Sequence, residues 1–125
     1  MLRRRTFGQY AATVEGLKVF GSPTRTRVVI IALALRDTYP RELARISGVP
    51  LVSVQRIVED LEREGILSTR LSGNQRRVIV NPEWFASKEL RALALRLAEV
   101  LPDIRAALDA ERRRSRRRGK PVDRS

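Results

Sequence analysis

At 125 residues the chain suffices for one domain with a core and is short for two. Apolar residues make up 42% of it and the formal net charge is +12, so most of it should fold and its partners should be anionic. The absence of cysteine and histidine excludes disulfides, thiolate and imidazole metal sites, and the commonest general base.

The charge is unevenly placed. Arg3, Arg4 and Arg5 contribute +3, and eight basic against two acidic residues from 111 to 125 contribute +6, which leaves +3 for the 105 residues between. Such blocks mark solvated arms that attract polyanions, so residues 1–8 read as a basic N-terminal arm and residues 111–125 as a disordered arginine-rich tail. Nucleic acid suits them better than an anionic membrane surface, because the tail has no Leu, Phe or Trp face. The start of the chain has no apolar stretch after its arginines, and the longest apolar run, Val28 to Leu35, is too short to cross a bilayer. A cytoplasmic, nucleoid-associated protein is expected, with no membrane partner.

Tyr10, Val14, Leu17 and Phe20 recur at helical spacing and place a first helix over 9–20. Ser22 is a good N-cap and Pro23 a good first helical residue, so a second helix should run from Pro23 to about Arg36. "DTY" reads as a short connection. A compact helix opened by Pro40 turns Leu43, Ala44 and Ile46 inward and closes at Gly48. Pro50 restarts the chain, and Val54, Ile57, Val58 and Leu61 form the inner stripe of another helix that ends before Gly65. Two short helices about a tight glycine turn make a helix-turn-helix.

From Ile66 the period changes to two, with Gly73-Asn74 supplying turn chemistry, which predicts a β-hairpin over 66–81 with an exposed basic tip. Helix resumes near Pro82. Leu90, Ala94, Leu97, Leu101, Ile104 and Leu108 then recur at spacings of four and three, a heptad-like seam. Pro102 should kink it or divide it into two abutting helices. The fold class is therefore mainly α with a small β-hairpin.

Helix, helix, helix-turn-helix, hairpin, helix is the order of a winged helix-turn-helix with flanking N- and C-terminal helices, over 9–110. "GSPTRTRVVIIAL", "ELARISGVPLVSVQRIVEDLEREGIL" and "SGNQRRVIV" resemble, in turn, the first core helix, the helix-turn-helix and the wing of arsenic-repressor-like and multiple-antibiotic-resistance-repressor-like prokaryotic transcription regulators. The resemblance covers about residues 20 to 82 and implies dimeric binding of double-stranded DNA. It supplies no ligand: metal-sensing members use cysteine and histidine, and the position where many carry a histidine in the reading helix is Ile57 here.

In this architecture the second helix enters the major groove by its N-terminal part. The outward residues there are Val52, Ser53, Gln55 and Arg56. Gln55 suits adenine, Arg56 guanine, and Val52 a thymine methyl. Arg70, Asn74, Gln75, Arg76 and Arg77 lie on the wing, where strand alternation sends Arg76 and Arg77 to opposite faces. Arg25 at a helix start, and Arg41 and Arg45 on the helix that crosses the backbone, are candidate phosphate contacts. For Arg25 an ion pair with a nearby acid is the competing reading. The resemblance places a dimer interface on the terminal helices, over 88–110, where Leu90, Leu93, Leu97, Leu101, Ile104 and Leu108 carry the seam and Trp84 and Phe85 anchor its start. Packing within one domain is the simpler alternative.

The reading helix also carries Glu59, Asp60, Glu62 and Glu64. Arg56–Asp60 and Glu59–Arg63 are spaced for i, i+4 pairs, and Glu62 and Glu64 would repel phosphates on the side away from the groove. No acidic cluster adjoins a Gly-rich loop or a nucleophile signature, so the chain reads as a non-enzyme without cofactor or metal. A sequence-specific homodimeric regulator is the leading expectation. An architectural DNA binder relying on its arginine tails, or a winged-helix scaffold that binds protein, are the rivals.

Overall fold

Ser22 lies in extended backbone, and its hydroxyl accepts a hydrogen bond from the Arg25 backbone N–H at 3.1 Å, which starts helix α1 (Pro23–Leu35) where the cap and proline place it. The computed structural model describes residues 18–117. The helix expected over 9–20 falls mostly outside them; residues 18–20 form a turn closed by Gly21 N–H on the Lys18 carbonyl, 3.0 Å. All eight residues from Val28 to Leu35 are buried, so α1 is enclosed on every side and forms the centre of the core.

α1 ends at Arg36, whose φ of 69° turns the chain into a strand that the sequence pattern did not predict, β1 (Asp37–Thr38). Two residues carry no period, and β1 exists through partners forty residues away: Asp37 pairs with Ile79 and Thr38 with Val78. Helix α2 (Pro40–Ser47) closes on Gly48 at φ 74°, a left-handed C-cap whose N–H reaches the Ala44 carbonyl at 2.9 Å. Helix α3 (Leu51–Arg63) buries Val54, Ile57, Val58 and Leu61, the stripe read from spacing.

Strands β2 (Leu67–Ser72) and β3 (Gln75–Val80) form the hairpin, with Ser72 opposite Gln75 about the Gly73-Asn74 turn. Gly73 has φ 64° and Asn74 stays out of the left-handed region, the pattern of a II′ turn. With β1 added the sheet is antiparallel in the order β1-β3-β2. Leu67 and Val78 turn one face of it into the core.

Helix does not resume at Pro82. Residues 81–86 are taken by turns in which Asn81 donates from Nδ2 to the Gly65 carbonyl at 2.8 Å and accepts from the Glu83 N–H at 3.1 Å. Helix α4 (Ser87–Val100) follows, then an extended Leu101, then helix α5 (Pro102–Arg117). Pro102 thus divides the seam into two helices, because it disfavours helical backbone at the residue before it. The tail boundary expected at 111 falls inside α5; residues 118–125 lie outside the described part. The chain is mainly helical with a small three-stranded antiparallel sheet, compatible with a winged helix-turn-helix. Among the described residues no helix is long and apolar enough to cross a membrane.

Candidate nucleic-acid interface

The N-terminal half of α3 follows directly on the Gly48 turn, and its inner stripe orients the rest outward. Val52 is 65% exposed, Gln55 and Arg56 are exposed, and Ser53 is half-buried. Gln55 and Arg56 make no hydrogen bond or ion pair with any described residue, and neither does the exposed Arg41 on α2. Among the described residues nothing satisfies these side chains, which stand at the surface toward solvent.

The C-terminal half of α3 behaves differently. Arg25 donates to the Phe20 carbonyl at 2.9 Å, to Asp60 at 3.4 Å and to Glu64 at 3.2 Å. It is therefore a clamp between the start of α1 and the acid end of α3, and not the free phosphate contact that its position at a helix start suggested. Asp60 also pairs with Arg63, one turn away. The expected pairs Arg56–Asp60 and Glu59–Arg63 do not form, because Asp60 is taken by Arg25 and Arg63. Glu62 accepts from the Thr69 hydroxyl at 2.6 Å, and Arg76 donates to the same hydroxyl at 3.2 Å. The chain Glu62–Thr69–Arg76 fixes the wing to α3.

Two more expected phosphate contacts are committed inside the molecule. Arg77 forks onto Asp37 of β1, with Nε at 2.9 Å and Nη2 at 2.5 Å. Arg45 forks onto Glu111 of α5 at 2.8 and 3.1 Å, with Glu42 at 3.9 Å. That hydrogen-bonded guanidinium holds the Glu111 carboxyl below the ordinary glutamate range against the opposing effect of burial, and the carboxylate in turn raises Arg45. Neutralised arginines are poor sources of counterion-releasing phosphate contacts. No local signal marks these pairs, whose members are 35 to 66 residues apart.

On the wing, Arg70, Asn74, Gln75 and Arg76 are exposed, together with Leu71 at 75%, which strand alternation alone does not single out. Among the described residues two surfaces therefore stay open: Val52, Gln55 and Arg56 on α3 with Arg41 on α2, and the hairpin tip with Arg70 and Arg76.

The seam divides in a way spacing alone did not show. Leu101, Ile104 and Leu108 are buried within the single chain, so they are core and not dimer contacts. Their side of α4 is Ser87, Ala94 and Ala98. On the neighbouring side of α4 lie Leu90, Leu93, Leu97 and Val100, at spacings of three, four and three, with Leu93 42% and Val100 39% exposed. Trp84 packs partly on the core and its ring lies 4.7 Å from that of Phe85, which is 88% exposed.

No family model, curated protein or solved structure matches the chain. Its reading rests on the geometry alone. Among the described residues no group of three or more acidic side chains is placed to hold a metal ion. A groove of about 850 Å³ runs between the sheet and α4, lined by Arg36, Asp37, Arg77, Lys88 and Arg91.

Proposed function

We propose that the chain is a winged helix-turn-helix DNA-binding regulator, a cytoplasmic, nucleoid-associated homodimer that reads duplex DNA with the N-terminal half of α3 and its wing. One observation carries the reading. Val52, Gln55 and Arg56 form an outward, acid-free face, with no polar partner among the described residues, on the second helix of a helix-turn-helix, while the acids of the same helix are largely turned to internal clamps. A side chain that served only to solubilise a surface would find the neighbouring carboxylates attractive; Arg56 stays clear of them. The basic wing tip adds a second set of contacts, and the arginine-rich ends supply sequence-independent attraction.

For the homodimer, the supporting feature is the stripe of Leu90, Leu93, Leu97 and Val100 on α4, in which Leu90 and Leu97 pack partly on the core and Leu93 and Val100 stand exposed beside them. Leu93→Lys is expected to convert a dimer to monomers in sedimentation velocity while leaving the circular dichroism spectrum unchanged; a dimer that survives it uses another surface.

The test of function is selection of bound sequences from a random duplex pool. The expected outcome is enrichment of a pseudo-palindrome with half-sites about one helical turn apart. Binding without enrichment, with a steep salt dependence, would make the chain an architectural binder. No binding to any duplex at moderate salt would leave a protein-interaction module.

A further inference from the structure

We propose that α5 carries a second phosphate-binding surface, in which Glu111, clasped by Arg45, holds the helical arginine run that starts at Arg112 against α2, beside Arg41. The proposal rests on the DNA-binding reading and adds to it a positioning residue and a surface that composition alone describes as a mobile tail.

Three observations carry it. First, the run is helical through Arg117 and does not fray at Ala110. Cations in the last turns of a helix are favoured by the partial negative charge of its C-terminal carbonyls. Second, Glu111 is only 6% exposed although it opens a segment of nearly unbroken positive charge. A buried carboxylate costs free energy unless it is paired and hydrogen-bonded, and here both oxygens receive the Arg45 fork. The clasp is itself anchored: Glu42 approaches Arg45, and the Thr38 hydroxyl of β1 donates to Glu42 at 2.5 Å. A segment needing only solvation would not bury its first acid in such a network. Third, Arg41 and Arg45 are i, i+4 on α2 and so share a face one turn apart. Arg41 is exposed and unpaired on that face. The Arg45–Glu111 clasp thus ties α5 to the helix that crosses the DNA backbone in a helix-turn-helix.

Arg113 is exposed and makes no ion pair with a described residue, whereas Arg112 is drawn back to Asp109 at 3.4 Å. Arg114, half-buried, makes no ion pair with a described residue either. Cations fixed on a docked helix surrender less conformational freedom on meeting phosphates than the same cations on a loose tail. The clasp thereby turns a polyelectrolyte attraction into a placed one.

The experiment measures anisotropy of a labelled random-sequence duplex between about 50 and 200 mM salt. It compares the wild type, Glu111→Gln, a variant carrying Arg113→Gln and Arg114→Gln, and the two combined. The arginine replacements are expected to lower the slope of log affinity against log salt by about 0.9 for each phosphate no longer neutralised. Glu111→Gln is expected to weaken binding by about three- to tenfold in the wild-type background and to add nothing in the arginine-replaced one, the non-additivity of residues that act as one unit. Arg45→Lys, which keeps the charge and loses the fork, should weaken binding by less and serves if Glu111→Gln fails to fold. A folded Glu111→Gln with unchanged affinity would overturn the proposal and leave a free tail. Equal weakening in both backgrounds would overturn it too, because Glu111 would then act through α2. Failure of the wild type itself to bind any duplex identifies failure of the DNA-binding reading.

Discussion

The two halves of α3 share one inner stripe and differ in what their outward charges do. From Leu51 to Arg56 the outward face carries Val52, Gln55 and Arg56, and none has a polar partner among the described residues. From Glu59 to Glu64 three of the four acids are engaged: Asp60 and Glu64 by Arg25, Glu62 by Thr69. The contrast teaches that the sign of a charge on a helix says little until its commitments are known. The acid is a clamp at both ends of the domain, to the start of α1 and to the wing. It leaves the other half of the helix rigidly presented and chemically open.

The largest effect expected from this contrast is on binding. Arg56→Ala should weaken binding to a selected site by about 1–3 kcal/mol, roughly five- to 150-fold, with stability changed by less than about 0.5 kcal/mol. Anisotropy and thermal denaturation on the same preparation check both. A loss of stability with binding intact would place Arg56 among the clamps.

Arg25→Ala should do the reverse. It removes the donor shared by Phe20, Asp60 and Glu64 and should cost about 1–2 kcal/mol of stability, between the values for an exposed pair and for hydrogen bonds to buried charges. Each kcal/mol lowers Tm by about 4 °C in a domain of this size. Duplex affinity well below Tm should change by less than about twofold, since a neutralised arginine contributes little to counterion release. Weaker binding with an unshifted Tm would return Arg25 to the phosphate contacts.

How far the sequence carried this picture depends on the range of the interaction. Ser22, Pro23, Gly48 and Pro102 act on their own neighbours, and each element boundary they mark is found. The α3 stripe and the Gly73-Asn74 turn are local patterns of the same kind. β1 was missed because two residues have no period, and the partners that make them a strand lie across the sheet. Arg25, Arg45 and Arg77 read as candidate DNA contacts, Arg25 with an ion pair as its rival, because their carboxylates lie far along the chain, where no spacing rule reaches. The seam was ambiguous for a related reason: a three-four repeat reports that a face is apolar, not what covers it. Leu101, Ile104 and Leu108 are buried by their own chain, and Leu93 and Val100 are not.

A third, smaller effect extends the comparison to an acid outside α3. Glu111 titrates below its ordinary value of 4.5 because the Arg45 guanidinium hydrogen-bonds its charged form. A depressed carboxyl adds stability that is present above its unfolded pKa and disappears as pH falls through the folded one. Its contribution should therefore be constant at neutral pH and be lost progressively below 4.5. Glu111→Gln should be less stable than the wild type at pH 7, and the gap should narrow as the pH falls through that window. Denaturant titrations at a series of pH values read this directly; a gap that stays constant down to acid pH would mean that glutamine costs packing and not charge.

The smallest effect is the most exposing of the clamp argument. Arg63 pairs with Asp60, as Arg25 does, yet its side chain is 70% exposed and its partner is one turn away on the same helix. Exposed pairs of that kind contribute a few tenths of a kcal/mol, because solvent screens them and a long side chain must be ordered to make them. Arg63→Ala should therefore shift stability by less than about 0.5 kcal/mol. Arg25 differs in spanning from α1 to α3, so its removal unfastens two elements, while removal of Arg63 leaves Asp60 in the hands of Arg25. If Arg63→Ala cost as much as Arg25→Ala, the acid half of α3 would be held by its own helix and not by the rest of the domain. The two halves would then differ only in composition, and the open face at Gln55 and Arg56 would lose its claim to have been set aside for a partner.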